Sequence, residues 1–311
     1  MSLQTLIEAD IINPDLRITS LKKNTLLYLG YESRDKYYDS FLRRLEFIPQ
    51  LFLDSSARNR LTHVKNGLAI LKSLEEKGFF DSNRLNKNIL AQLKKSFLLH
   101  DIGHPQYGHA GERAINEFLN EYDLFFHNSN FSIELQSRQS KNDNDFVNMI
   151  GNNIFKLESV EIDDQSKIII DKLVDFIDDI ENAVGDLADL IKVLHHSGSK
   201  ILHSKYFKMR DDYVVDNAVF LVHKYIKSSS QFESFLFDEN HELKNVIREI
   251  RLYVRQVVKC EKALAATDLI WFEKTSDDIH TVFNLLSGIY NTYSQKEIAE
   301  VTAKIVALKA L

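Results

Sequence analysis

The 311-residue chain sets 39 Lys and Arg against 45 Asp and Glu, for a formal charge of −6, with 44% hydrophobic and 27% charged residues. That length can bury a substantial core in one large or two ordinary domains. The net acidity argues against a general nucleic-acid or membrane binder while leaving room for a local basic patch. A single cysteine, Cys260, excludes an internal disulfide, fits a reducing compartment and reads as buried filler. The first residues show neither the charged nor the apolar part of a leader, and no apolar run approaches the ~18 residues of a membrane span. A cytoplasmic protein with no membrane partner is therefore expected.

Helical periodicity dominates, and convincing alternating strands are absent. Residues 35–52 read as a first helix with Tyr38, Phe41, Leu42, Leu45 and Phe47 on its apolar side and a kink at Pro49. Residues 58–77 form the next, with Leu61, Val64, Leu68, Ile70, Leu71 and Leu74 inward and Gly78 as C-cap. A third runs over 84–101 and a fourth over 111–122, the latter with Ala114, Ile115, Phe118 and Leu119 apolar. From about 137 to 153 the pattern dissolves into polar residues, which predicts a loop or a lid. Helices resume over 165–196 (with Gly185 as a possible interruption), 216–227, 242–273 (long enough to be two), 277–290 and 295–310. The expectation is one all-α domain over residues 1–311, built of roughly a dozen helices.

One stretch carries most of the chemistry. From His100 to Glu112, three histidines and two acids fall within thirteen positions, broken by Gly103, Pro105 and Gly108. Neighbouring helical residues point about 100° apart, so His100 and Asp101 can share one ion only where the helix is ending. Gly103 and Pro105 supply that end. Imidazole nitrogen with carboxylate oxygen suits a divalent ion of the Mn, Fe, Co, Zn or Mg type. His63, in the first turns of its helix, offers a third ligand. A fourth should be a carboxylate from a later helix, and the segment 176–180, with Asp178 and Asp179, offers one in an apolar setting.

His63, His100-Asp101 and Asp178 match an H…HD…D pattern, and the chain resembles the HD superfamily of metal-dependent phosphohydrolases. Within it, the likeness is to the deoxyguanosine triphosphate triphosphohydrolase branch, which also holds the sterile-alpha-motif/HD dNTP triphosphohydrolases. Residues 34–52, with Phe41-Leu42-Arg43-Arg44-Leu45 and Pro49-Gln50, resemble that branch's "FRRL…TQV". Residues 58–63 resemble "R-x-RLTHS", and residues 100–112 resemble "HD-[IL]-GHPPFGHAGE" almost throughout. Residues 125–128 resemble "FEHN", and residues 174–189 resemble "MDWADDIAYSVHDLED". A fainter echo of "DYIAGMTD" lies at residues 263–268. The likeness is good over residues 34–190, the motif core, and faint over the helical C-terminal part, 191–311.

The resemblance implies an HD-domain helical fold in which His63, His100, Asp101 and Asp178 hold one divalent ion (Mn2+, Mg2+, Co2+ or Fe2+). That ion would polarise the α-phosphate and lower the pKa of a bound water. It implies that His109 and Glu112 form the catalytic pair, with His109 open to a role as base toward water or as acid toward the 5′ oxygen. His104 and His127 would contact phosphate, Arg60 would clamp phosphate charge, and Gln50 would read the sugar 3′-hydroxyl. Asn182 stands where the family has a Tyr lying against phosphate and sugar, which leaves discrimination of deoxy from ribo substrates open. Asp186 keeps the acidic position four further on.

The implied activity is hydrolysis of dGTP or other dNTPs to deoxynucleoside and tripolyphosphate. The implied partners are a homo-oligomer, such as a hexamer, and a nucleotide or single-stranded DNA effector. The competing readings are an HD phosphohydrolase for a nucleoside monophosphate, a cyclic nucleotide or a nucleic-acid end, and a nucleotide-sensing module with a decayed site. Outside the motifs, Arg251, Arg255 and Lys259 recur every four residues; a solvated stripe is expected over a phosphate channel. His195-His196 reads as a helix C-terminal turn. The aromatic residues Tyr28, Tyr31, Tyr37, Tyr38 and Phe41 read as core or subunit interface.

Overall fold

A computed structural model describes residues 42–51, 57–83, 85–142, 163–196, 212–260 and 262–309. Among them there are eleven α-helices and one 3-10 turn, Leu45–Phe47, and no strand beyond a single bridge between Pro49 and Asn59. The helices are α1 Arg60–Glu76, α2 Phe79–Ser82, α3 Lys87–Leu99, α4 Gly108–Asn120, α5 Asn128–Asn142 and α6 Asp164–His196. They continue with α7 Asp212–Tyr225, α8 Ser229–Phe237, α9 Glu242–Cys260, α10 Lys262–Ile289 and α11 Gln295–Leu308. The all-α expectation holds. No helix among the described residues is long and apolar enough to cross a membrane.

The long helix α6 is the axis of the packing: α1, α3, α7, α8 and α9 all lie against it, while α10 and α11 cover α4. Apolar side chains from every one of these layers join one buried cluster, in which Ile70, Leu71, Leu74, Leu93, Phe97 and Ile180 are fully enclosed. All six residues expected inward on the second helix are buried, as are the four expected on α4. Where α10 crosses α4, Trp271 stacks on Tyr107 with ring centroids 6.0 Å apart.

Boundaries moved for local reasons. The helix expected over 35–52 is described only from Leu42. It tightens into the 3-10 turn and ends at Ile48, which is extended (φ −98°, ψ 116°), because a residue before proline is barred from helical geometry. Phe47, expected inside, is 52% exposed in consequence. The segment after it pairs with the start of α1: Gln50 N donates to Arg58 O (3.1 Å) and Arg60 N to Ile48 O (2.8 Å). Asn59 then caps α1, its Oδ1 accepting from Thr62 N at 2.8 Å. Asn86 caps α3 in the same way, later than the expected start at residue 84.

Residues 137–142, expected as loop, continue α5, which is anchored by buried Phe131 and Leu135 at its start; the rest of that expected loop lies outside the described residues. Helix α6 runs unbroken through Gly185. The helix expected over 242–273 divides after Cys260, and its second part joins residues 277–289 as α10. The side chains of Lys259, Cys260, His195, His196 and residues 263–268, and everything before residue 42, fall outside the described residues.

Buried Arg44 ties the ends of the chain to the central turn. Its guanidinium donates to the carbonyls of Ile102 (2.7 Å), His104 (2.8 Å) and Ala307 (2.8 Å). Ser132 of α5 braces the same turn, accepting from Gly103 N at 2.8 Å and donating to His100 O at 2.7 Å. A Cβ on Gly103 would meet the backbone of α5 at 2.5–2.6 Å, so this close approach requires glycine.

Candidate metal centre

Three helices bring the four candidate ligand side chains together. His63 comes from the first turn of α1, His100 is the C-cap of α3, Asp101 follows it as the chain leaves the helix, and Asp178 lies midway along α6. The end of α3 at Leu99 turns His100 and Asp101 to the same side, as their adjacency demanded. His63 Nε2 is 3.0 Å from Asp178 Oδ1, 3.4 Å from His100 Nε2 and 3.8 Å from Asp101 Oδ2. His100 Nε2 is 3.3 Å from Asp178 Oδ1 and 3.5 Å from Asp101 Oδ1. Atoms held about 2.1 Å from a shared ion stand ~3.0–3.4 Å apart along the edges of an octahedron or tetrahedron. The observed separations are close to that range.

The protonation pattern points the same way. His63 Nδ1 donates to Glu181 Oε2, and His100 Nδ1 donates to the Phe97 carbonyl at 2.6 Å. Each ring therefore turns Nε2 toward the two carboxylates, with its lone pair free for a metal when the ring is neutral. The facing carboxylates and ring nitrogens favour a cation among them, a proton on Nε2 in metal-free protein or a metal ion in its place, and His63, His100 and Asp101 form a group able to hold one. Burial disfavours the His63 imidazolium, yet Glu181 and Asp178 outweigh it and push the pKa up to about 10. His100 is raised as well, against its burial, by Asp101 and Asp178. Burial would raise Asp101, but Arg60 and the neighbouring histidines hold it below the usual carboxylate range.

A pH dependence with a definite sign follows. The folded pKa of His63 lies above its reference of 6.5, so in metal-free protein its contribution to stability is complete below pH 6.5 and is lost as pH rises toward about 10. Metal binding requires the neutral ring, so metal affinity should rise over the same window. Melting curves of metal-free and Mn2+-loaded protein across that range should show the stabilisation by Mn2+ growing with pH; a constant gap would contradict it.

The remaining candidates are distributed around this point. Arg60 Nη1 lies 3.0 Å from Asp101 Oδ2, and its buried Nε has no partner. Asn182 Nδ2 donates to Asp178 Oδ1 at 2.9 Å, and Gln50 Nε2 donates to Asn182 Oδ1 at 2.5 Å, leaving Gln50 Oε1 without a partner. The amide at position 182 thus ties Gln50 to a ligand carboxylate. His104 is buried with an unpartnered Nδ1, packs edge-on against His109 with centroids 5.2 Å apart, and is held neutral by burial and by Arg60. His109 is 72% exposed; its Nδ1 lies 3.2 Å from Glu112 Oε2, while Glu112 Oε1 accepts from Asn128 N at 3.1 Å. His127 sits on the surface, accepting from Ser129 N at 3.3 Å. Asp186 is directed elsewhere: its Oδ1 takes Arg58 Nη2 at 2.8 Å.

Two features escaped sequence reasoning. Glu181 is fully buried behind His63, and nothing in the resemblance could mark it, because the similar motif carries alanine there. The available signal was its spacing, three after Asp178 on one helical face. The second is a groove of about 550 Å³ between α6, α8 and α9, where basic side chains of α6 and α9 and the acids Asp175, Asp179 and Glu239 together surround apolar side chains that include Phe235. Arg251 pairs with Asp179, while Arg255 is exposed, as a solvated stripe requires.

Residues 60–183 match the HD domain family. Beyond the domain, the chain is similar to deoxyguanosinetriphosphate triphosphohydrolase-like proteins. That of Rickettsia prowazekii (strain Madrid E) is 40% identical over 91 residues, and that of Rickettsia felis (strain ATCC VR-1525 / URRWXCal2) is 38% identical over 91 residues. In Rickettsia typhi (strain ATCC VR-144 / Wilmington) the figure is 37% over 92 residues. These matches take in 28% of this chain and only 21–22% of each relative.

Proposed function

We propose that the protein is a metal-dependent phosphohydrolase that cleaves dNTPs to deoxynucleoside and tripolyphosphate. The observation that carries this reading is the convergence of two imidazole and two carboxylate lone pairs on one point. When bound, a divalent ion supplies a Lewis acid for a phosphoryl oxygen and a lowered pKa for water. The chain's own groups supply the rest. Arg60, anchored on Asp101, presents its guanidinium to phosphate charge. Glu112 fixes His109 through Nδ1, leaving Nε2 to take or give the proton exchanged with the reacting oxygens. The unpartnered Gln50 Oε1 is an acceptor for a sugar hydroxyl.

A second reading, a phosphohydrolase for another nucleotide, is favoured by Asn182. Its amide is committed to Asp178 and Gln50 and offers no ring for a sugar to stack on. Incubation with Mn2+ and each dNTP and NTP in turn, with ion chromatography of the products, separates the two. Tripolyphosphate should appear in step with deoxynucleoside. Release of orthophosphate or pyrophosphate instead sinks the triphosphohydrolase reading.

A further inference from the structure

Behind the metal centre lies a buried ionic cluster that the proposed chemistry does not use. Glu181 is enclosed on α6, and both of its oxygens are engaged: Oε2 accepts from His63 Nδ1, and Oε1 accepts from Arg58 Nη1 and, at 3.0 Å, from Asn66 Nδ2. Arg58 is itself fixed on further sides, with Nε 2.8 Å from Asp189 Oδ2, its backbone N 3.2 Å from the same oxygen, and Nη2 on Asp186. The guanidinium lies flat on α6 where residue 185 has no side chain; a Cβ there would overlap Arg58 Nη1 and its central carbon.

We infer that Glu181 is a positioning residue for the metal, acting through His63, and that Gly185 provides the space in which Arg58 holds Glu181 in register. A carboxylate on Nδ1 fixes the tautomer and the plane of the ring, so that Nε2 carries the lone pair and faces Asp178. The ring of His63 touches no solvent, and Glu181 is the group that holds the proton on Nδ1 while Asp178 Oδ1 lies 3.0 Å from Nε2. Arg58 and Asn66 remove the freedom Glu181 would otherwise have to rotate away. The chain of restraint runs from Asp189 and Asp186 through Arg58 to Glu181, His63 and the ion. This inference rests on the metal-centre reading and is independent of which nucleotide is hydrolysed.

The test is Mn2+ titration of purified full-length protein, followed by the loss of the free-ion electron paramagnetic resonance signal, for wild type, Glu181→Gln, Glu181→Ala and Gly185→Ala. Removing an outer partner of a ligating histidine typically weakens metal binding roughly 10- to 100-fold. Glu181→Ala should show that loss. Gly185→Ala, which touches no ligand, should weaken binding in the same direction by displacing Arg58. Glu181→Gln, whose amide oxygen can still accept from the Nδ1–H of His63, should retain more of the Mn2+ affinity than Glu181→Ala. Folded Glu181 variants that bind Mn2+ within about twofold of wild type overturn the inference and leave the metal centre standing. If Glu181→Ala fails to fold, Glu181→Gln and Gly185→Ala decide by the same criterion. A wild-type protein that takes up no Mn2+ overturns the metal centre and this inference together.

Discussion

Asp101→Asn and His100→Ala proteins should purify without bound divalent metal and with turnover lowered by about three orders of magnitude, or ~4 kcal/mol of transition-state stabilisation. The two losses must appear together, because the same side chains that hold the ion place it for reaction. Asparagine is the cleaner choice at position 101. Asp101 Oδ2 also receives Arg60 Nη1, so alanine would strand a buried guanidinium and confuse loss of metal with loss of fold. His100 can be shortened more safely, since its Nδ1 bonds only the backbone carbonyl of Phe97. Elemental analysis and turnover of the purified variants check the prediction; either variant with full metal content and full turnover would mean that the site is misassigned.

The largest effect on stability is expected at Arg58. Its guanidinium serves Glu181, Asp186 and Asp189, two of which are sealed from solvent. Arg58→Ala leaves three carboxylates in low dielectric with only His63, Asn66 and Lys192 nearby. Removing one partner of a buried ion pair costs roughly 3–5 kcal/mol, a large share of the 5–15 kcal/mol that ordinarily holds a domain together. Asp186, which burial already pushes up to about 6, should then protonate at still higher pH, so the variant should regain stability as pH falls through that region. Arg58→Lys should recover only part of the loss, because a single ammonium cannot reach three acids spread around a planar fork. Urea titrations at two pH values test this. An Arg58→Ala protein within ~1 kcal/mol of wild type would show that the cluster contributes little.

Why some of this was legible in the chain and some was not follows from range. The residues on α1, α4 and α6 that face the core recur at helical spacing, so burial of Leu61, Leu71, Ile115 and Phe118 could be read directly. The caps at Asn59 and Asn86 went unread, with the helix starts placed at residues 58 and 84, although each lies within three residues of the group it satisfies. The reach of α5 past residue 136 was not legible, because polar residues there lack periodicity and the helix is held by packing nearer its start. Phe47 was misjudged because a proline two residues later ended the helix whose face it was assigned to.

For the candidate site, the amino-acid sequence by itself determined the ligand types, the helix end that lets His100 and Asp101 act together, and the short-range pairing of His109 with Glu112. These are properties of residues within one or two turns of each other. The resemblance singled out Asp178 over Asp179, and only the tertiary structure decided that Asp186 serves Arg58 and that Glu181 stands behind the metal-facing ring. Those choices depend on the rotation of α6 against α1 and α9, which is set by the packing of the whole bundle; no local pattern along α6 distinguishes one of its buried carboxylates from the next.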